Sequence, residues 1–125
     1  MLENWNIGLV KQLGIEFVDV QKDRVTAKLL VKPELLTTTG TLHGGTLMAF
    51  ADTVGAAGTV ANLAEGQNTA TLESKTNFFA ACRSGSVRAE STPLHRGKRT
   101  QVWQTRVTDE AGKLLSVTIQ TQMIL

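Results

Sequence analysis

Apolar and polar positions along the chain alternate in some stretches and crowd together in others. Val25, Ala27, Leu29 and Val31 alternate with Arg24, Thr26 and Lys28, the period of two of a half-buried strand. Residues 15–20 and 24–31 therefore read as strands. The pattern returns after Gly66, where residues 69–79, 86–94, 100–108 and 113–124 read as extended. It is clearest at the end: Leu115, Val117, Ile119, Thr121, Met123 and Leu125 fall on one side, with Ser116, Thr118, Gln120 and Gln122 opposite. His95-Arg96-Gly97-Lys98 and Asp109-Glu110-Ala111-Gly112 read as hairpin turns, which makes the last part of the chain an antiparallel meander.

Two stretches follow a different period. Trp5, Leu9 and Leu13 recur at spacings of four and predict a short helix over 4–13. From Gly45 to Leu63 almost every residue is apolar or small. Length, together with Ala, Leu and Met, favours a helix there. A helix apolar on all sides belongs inside something. A membrane span is the weaker reading, because the run is short and holds Asp52 and three threonines. The segment from Pro33 to Leu42, rich in Thr and Gly, reads as a turn.

One long buried helix and about six strands make an α+β protein, with one domain over residues 1–125. A curved antiparallel sheet can wrap a helix on one face, but neither element can cover the other completely. The remainder is expected to be hidden against a second copy of the chain.

Composition narrows the function. With 42% hydrophobic and 19% charged residues the chain is an ordinary globular protein. A net charge of +2 gives no broad nucleic-acid surface, although local basic clusters could hold a phosphate-bearing ligand. The single cysteine, Cys82, allows no internal disulfide and suits a reducing cytoplasm. It has no evident base beside it and reads as buried or incidental. His43 and His95 are the only histidines, and with no cysteine or carboxylate pattern around them no metal site is expected. Trp103, Phe78 and Phe79 read as core residues. The first residues lack a basic and an apolar region, so no signal peptide is expected.

Asp52 is the only ionisable residue between Gly45 and Glu65. A carboxylate in an apolar helix is costly, and it is kept either for structure, by capping a loop or pairing with a cation, or for chemistry. His43-Gly44-Gly45 stands where the loop becomes the helix. It can be a glycine turn with a capping histidine. It can equally be a site where free backbone N–H groups polarise a carbonyl that approaches closely over glycine. Asp52 lies seven residues beyond Gly45, roughly 10 Å along a helix axis. One helix cannot bring both to one carbonyl carbon. Two antiparallel helices related by a dyad would set Gly45 of one chain beside Asp52 of the other.

Gly40-Thr41-Leu42-His43-Gly44-Gly45, with Asp52 nine residues after His43, resembles the hotdog-fold acyl-CoA thioesterases, and most the branch that includes the thioesterase of phenylacetate degradation. The resemblance continues through Thr71-Leu72-Glu73, Asn77-Phe78-Phe79, Arg96-Gly97-Lys98-Arg99-Thr100 and Gly112-Lys113-Leu114. It implies a helix wrapped by an antiparallel sheet, a dimer with a continuous sheet, and commonly a tetramer. It implies that Asp52 attacks an acyl-CoA thioester or activates a water, that the N–H of Gly44 or Gly45 polarises the carbonyl, and that His43 helps to orient it. Thr71 matches a Ser/Thr position that assists the acid or the water. Arg96-Gly97-Lys98-Arg99 matches a segment that contacts the nucleotide end of coenzyme A; three cations around a glycine suit phosphates, and equally a solvated hairpin. Coenzyme A is part of the substrate, and no further cofactor is implied.

The chain departs from the pattern at Thr37, where relatives carry Asn or Gln to support the carbonyl site, and at Ala56, where some carry serine. Gly55-Ala56-Ala57-Gly58 reads as room for an acyl group or, preferably, as close helix packing. Three other functions remain open: a non-catalytic acyl-CoA binding or sensing module, an acyl-thioester hydratase or dehydratase, whose own His-containing signatures are not found here, and a purely structural interaction domain.

Overall fold

Six strands, two α-helices and a short 3-10 helix (Pro33–Leu35) make up the computed structural model, which describes residues 4–125. The strands are β1 (Glu16–Val20), β2 (Val25–Leu30), β3 (Thr69–Phe78), β4 (Ser86–Arg96), β5 (Thr100–Asp109) and β6 (Leu114–Ile124). The α-helices are α1 (Gly8–Leu13) and α2 (Gly44–Ala61). All strands join one antiparallel sheet in the order β1-β2-β4-β5-β6-β3. The expected meander β4-β5-β6 is its centre. β3 leaves chain order to pair with β6, and so becomes an edge. α2 lies across one face and touches every strand, as a hotdog fold requires.

The core lies between α2 and the middle of the sheet. Val25, Ala27 and Leu29 of β2 and Val87 and Ala89 of β4 face Phe50, Val54 and Ala57 of α2 in one buried cluster. Burying each large aliphatic or aromatic side chain contributes about 1.5–3 kcal/mol. Further along the sheet the interior turns polar. In β6 the buried side is Ser116, Thr118, Gln120 and Gln122, while Ile119 is exposed on the outer face. Leu115 is buried in the core, but beyond it the more apolar side of this strand faces away from α2. Part of the polar side finds partners inside: Thr118 shares a hydroxyl hydrogen bond with Thr76 at 2.7 Å, and the side-chain N–H groups of both glutamines donate, whereas the Ser116 hydroxyl and the Gln120 amide oxygen are buried without a partner among the described residues. The same holds in β5, where Trp103 Nε1 donates to Gln101 Oε1 at 2.9 Å.

Several sequence expectations shift. The first helix is shorter than 4–13: it begins after extended Ile7 and is closed by Gly14 at φ 74. Trp5 lies outside it and meets Phe17 edge-on at 5.8 Å. β4 runs to Arg96, past Pro93 and into the expected turn. Its pairing with β2 ends at Ser91, so Pro93, which has no N–H to give, sits where β4 has only β5 as neighbour. Trp103 is fully buried as expected, but Phe78 and Phe79 are not core residues: they are 49% and 59% exposed at the end of the edge strand. Gly55 and Gly58 face the sheet. A Cβ on Gly58 would lie 2.5 Å from the Trp103 ring, and one on Gly55 would collide with the Gln120 amide. Their smallness admits these two side chains.

No helix among the described residues is long and apolar enough to cross a membrane.

Candidate active site

α2 starts where it does because His43 caps it. His43 is extended (φ −64, ψ 136), and its Nδ1 accepts the N–H of Gly45 at 2.7 Å, satisfying one of the orphan donors of a first turn. With Nδ1 accepting, the imidazole proton sits on Nε2, which remains a donor. The cap also decides between the two glycines. The Gly45 N–H is engaged by His43, which leaves the Gly44 N–H as the donor available at the helix start. Gly44 lies against the Phe78 ring, 3.2 Å from where its Cβ would stand.

Two turns further on, Asp52 is half-buried on the side of α2 that the sheet leaves uncovered. That side is a stripe of Met48, Ala49, Asp52, Thr53, Ala56 and Val60, each partly or fully open in the isolated chain. Asp52 Oδ1 accepts from Thr71 Oγ1 at 2.9 Å and from Gln120 Nε2 at 3.1 Å. Asp52 Oδ2 has no hydrogen-bond partner among the described residues. A cavity of about 220 Å³ opens beside it, lined by Met48, Ala49, Asp52, Thr71 and Ser74. The Ser74 hydroxyl in this lining is buried without a hydrogen-bond partner among the described residues.

The structure thus joins Asp52 to Thr71, and His43 to Gly45, but keeps the two pairs at different points along one helix. Thr37 belongs to neither pair. Its hydroxyl lies 3.0 Å from those of Thr39 and Thr41 and accepts the N–H groups of both residues, so it organises its own loop. Arg96 donates to the Lys22 carbonyl at 3.1 Å and approaches Asn62, tying the β4–β5 turn to the end of α2. Gly97 closes that turn by donating to the Thr100 carbonyl at 2.9 Å. Lys98 and Arg99 project from it, exposed and without an ion pair among the described residues. No cluster of potential metal ligands occurs among the described residues.

Sequence reasoning missed Gln120, Gln122 and Ser74. All three are polar residues on strands, where alternation alone assigns them to solvent. The available signal was the pair of glutamines at i and i+2 on one strand, in a chain whose long helix carries one acid.

The Thioesterase superfamily profile matches residues 39–116, which contain His43, Asp52, Thr71 and the basic turn. The chain is 33% identical over 111 residues to a 1,4-dihydroxy-2-naphthoyl-CoA hydrolase of Listeria monocytogenes, covering 89% of this chain and 90% of that one. A crystal structure of a thioesterase from Haemophilus influenzae superposes with a TM-score of 0.93 at 33% identity, covering 100% of this chain and 90% of that one. A phenylacetic acid degradation-related protein from Ralstonia eutropha, at 23% identity, shares the fold with a TM-score of 0.87 over 92% of this chain and 88% of that one.

Proposed function

Since the chain belongs to the hotdog thioesterase superfamily and is a thioester hydrolase, we propose that it cleaves an acyl-CoA thioester at a site built around Asp52. The observation that carries this reading is the Asp52 carboxylate: one oxygen is held by Thr71 and Gln120, and the other is free beside an open cavity. The free oxygen is placed to attack the thioester carbon, or to take a proton from a water that does so. Either route adds one water overall, breaks the carbon–sulfur bond and sends a proton to the departing CoA sulfur. The Gly44 N–H, at the positive end of α2, receives the charge that builds on the carbonyl oxygen. His43 Nε2–H is a second donor at the same helix end. Lys98 and Arg99 are free to meet the phosphates of CoA, while Arg96 is occupied in holding their turn in place.

A complete site requires a second copy. Gly44 and Asp52 are too far apart on α2 to serve one carbonyl. β3 is a ten-residue edge strand whose side chains are mostly open, and it flanks the uncovered stripe of α2. Pairing β3 with its own copy extends the sheet and lays two α2 helices antiparallel, which brings Gly44 of one chain to Asp52 of the other.

The test is thiol release from a panel of aromatic and aliphatic acyl-CoA esters, with 1,4-dihydroxy-2-naphthoyl-CoA included because the Listeria relative bears that name. Wild type should turn over at least one ester, and Asp52→Asn should lose about 10²–10⁴-fold in kcat. Equal release by both proteins would refute the role of Asp52. Incorporation of labelled oxygen into Asp52 in a single turnover separates attack by the carboxylate from attack by water.

A further inference from the structure

Asp52 does not reach its position by itself. A carboxylate on an open helix face can turn about two side-chain bonds, and only some orientations point an oxygen into the cavity. In this chain two donors converge on one oxygen, and the second of them comes from the interior. Gln120 and Gln122 are each 1% exposed. Gln120 Nε2 lies 3.1 Å from Asp52 Oδ1, 3.2 Å from the Asp52 carbonyl and 2.9 Å from Gln122 Oε1. Gln122 Oε1 also lies 2.6 Å from Thr71 Oγ1, whose single proton is shared between that amide oxygen and Asp52 Oδ1. Gln122 Nε2 donates to Thr69 Oγ1 at 3.1 Å, which donates to the Met123 carbonyl at 2.8 Å. The chain of bonds therefore runs from the sheet backbone, through two buried amides, to one carboxylate oxygen. Gly55 is the helix residue that makes room for it, since any side chain there would strike the Gln120 amide.

We propose that Gln120, held by Gln122, is a positioning residue for hydrolysis. Together with Thr71 it fixes Asp52 through Oδ1, so that Oδ2 is the oxygen presented to the substrate. Two buried amides beneath an acid are costly unless bonded; here the Gln120 oxygen has no partner among the described residues, while the Gln120 N–H groups and both polar atoms of the Gln122 amide are bonded, and the Gln120 N–H bonds are the ones that set the carboxylate. Gln120 lies behind Asp52 and touches no substrate, so it acts on turnover and leaves binding alone. This inference rests on the reading of Asp52 as the acting acid.

The experiment compares Gln120→Met and Gln120→Glu with wild type in steady-state thiol release, with each protein's folded fraction measured by thermal melting. Gln120→Met keeps the length and removes the amide; Gln120→Glu keeps the shape and replaces the donor by a second negative oxygen. Expected are a kcat about tenfold lower for Gln120→Met, a larger loss for Gln120→Glu, and a KM within about twofold of wild type for both. In the Asp52→Asn background Gln120→Met should add no further loss, because residues that act as a unit are not additive. Should Gln120→Met not fold, Gln120→Glu, matched in size, carries the comparison. Folded variants with wild-type kcat, or with a raised KM alone, overturn the proposal while an inactive Asp52→Asn leaves the underlying reading standing. An active Asp52→Asn overturns that reading instead.

Discussion

The Gly44 backbone N–H, at the scale of single residues, can be removed without dismantling the helix that carries it. Gly44 is the first residue of α2, a position that tolerates proline because its N–H has no intrahelical partner. The residue before it, His43, already has the extended backbone that a following proline demands (φ −64, ψ 136). The Phe78 ring, which holds the atoms nearest an added Cβ, is half-exposed and able to swing aside. Gly44→Pro should therefore fold with an unchanged circular-dichroism spectrum yet lose about 10²–10³-fold in kcat, the usual consequence of deleting one donor to a developing oxyanion. Undiminished thiol release by the folded variant would show that the carbonyl is polarised elsewhere. His43, Gly44, Gly45 and Asp52 were legible in the sequence because each is unusual in its place: an acid in an apolar helix, and glycines at a helix start. The division of labour between the glycines was not legible, since it depends on where the His43 ring turns.

Among elements, the contact between α2 and the sheet is set by two glycines, and its tightness can be tested at the one away from the acid. Gly58→Ala would raise helix propensity by about 1 kcal/mol. It would also place a methyl carbon 2.5 Å from the ring of a fully buried Trp103. Overpacking of this kind costs about 1–3 kcal/mol, so the collision outweighs the gain. A thermal melt should show Tm lower by about 4 °C, taking a net loss of about 1 kcal/mol for a domain of this size; an unchanged or higher Tm would mean that α2 stands further from β5 than described. All six strands and α2 were readable from periodicity, with no end moved by more than two residues. What periodicity could not give was which side of β6 faces inward. Val117, Ile119, Thr121 and Met123 form the more apolar side, and a hydrophobic rule would have turned them to α2. Asp52, Gly55 and Thr71 reverse the choice, because a carboxylate in that place needs amides behind it. The apolar side of β6 is left on the outer face, where Ile119 is 41% exposed.

In the whole molecule, the uncovered stripe of α2 and the open edge of β3 belong to the same problem. The sequence showed that the helix could not be wrapped on every side, and the structure shows which side is left: the one that carries Asp52. On the proposed reading, the acid at mid-helix on the uncovered face and the carbonyl-polarising helix start about two turns before it are halves of two different sites. In the proposed dimer, two such chains joined by a dyad hold two complete sites, each with Asp52 from one copy and Gly44 from the other. Mixing two inactive proteins tests this directly. Asp52→Asn and Gly44→Pro are each combined with the other by unfolding and refolding together, and thiol release is compared with that of each variant refolded alone. In every mixed dimer one site receives the intact Asp52 and the intact Gly44, while the other site receives both lesions. Random pairing should then restore about a quarter of wild-type activity. A mixture as inactive as its parents would contradict the account, and would place the acid and the carbonyl-binding helix start of each site within a single chain.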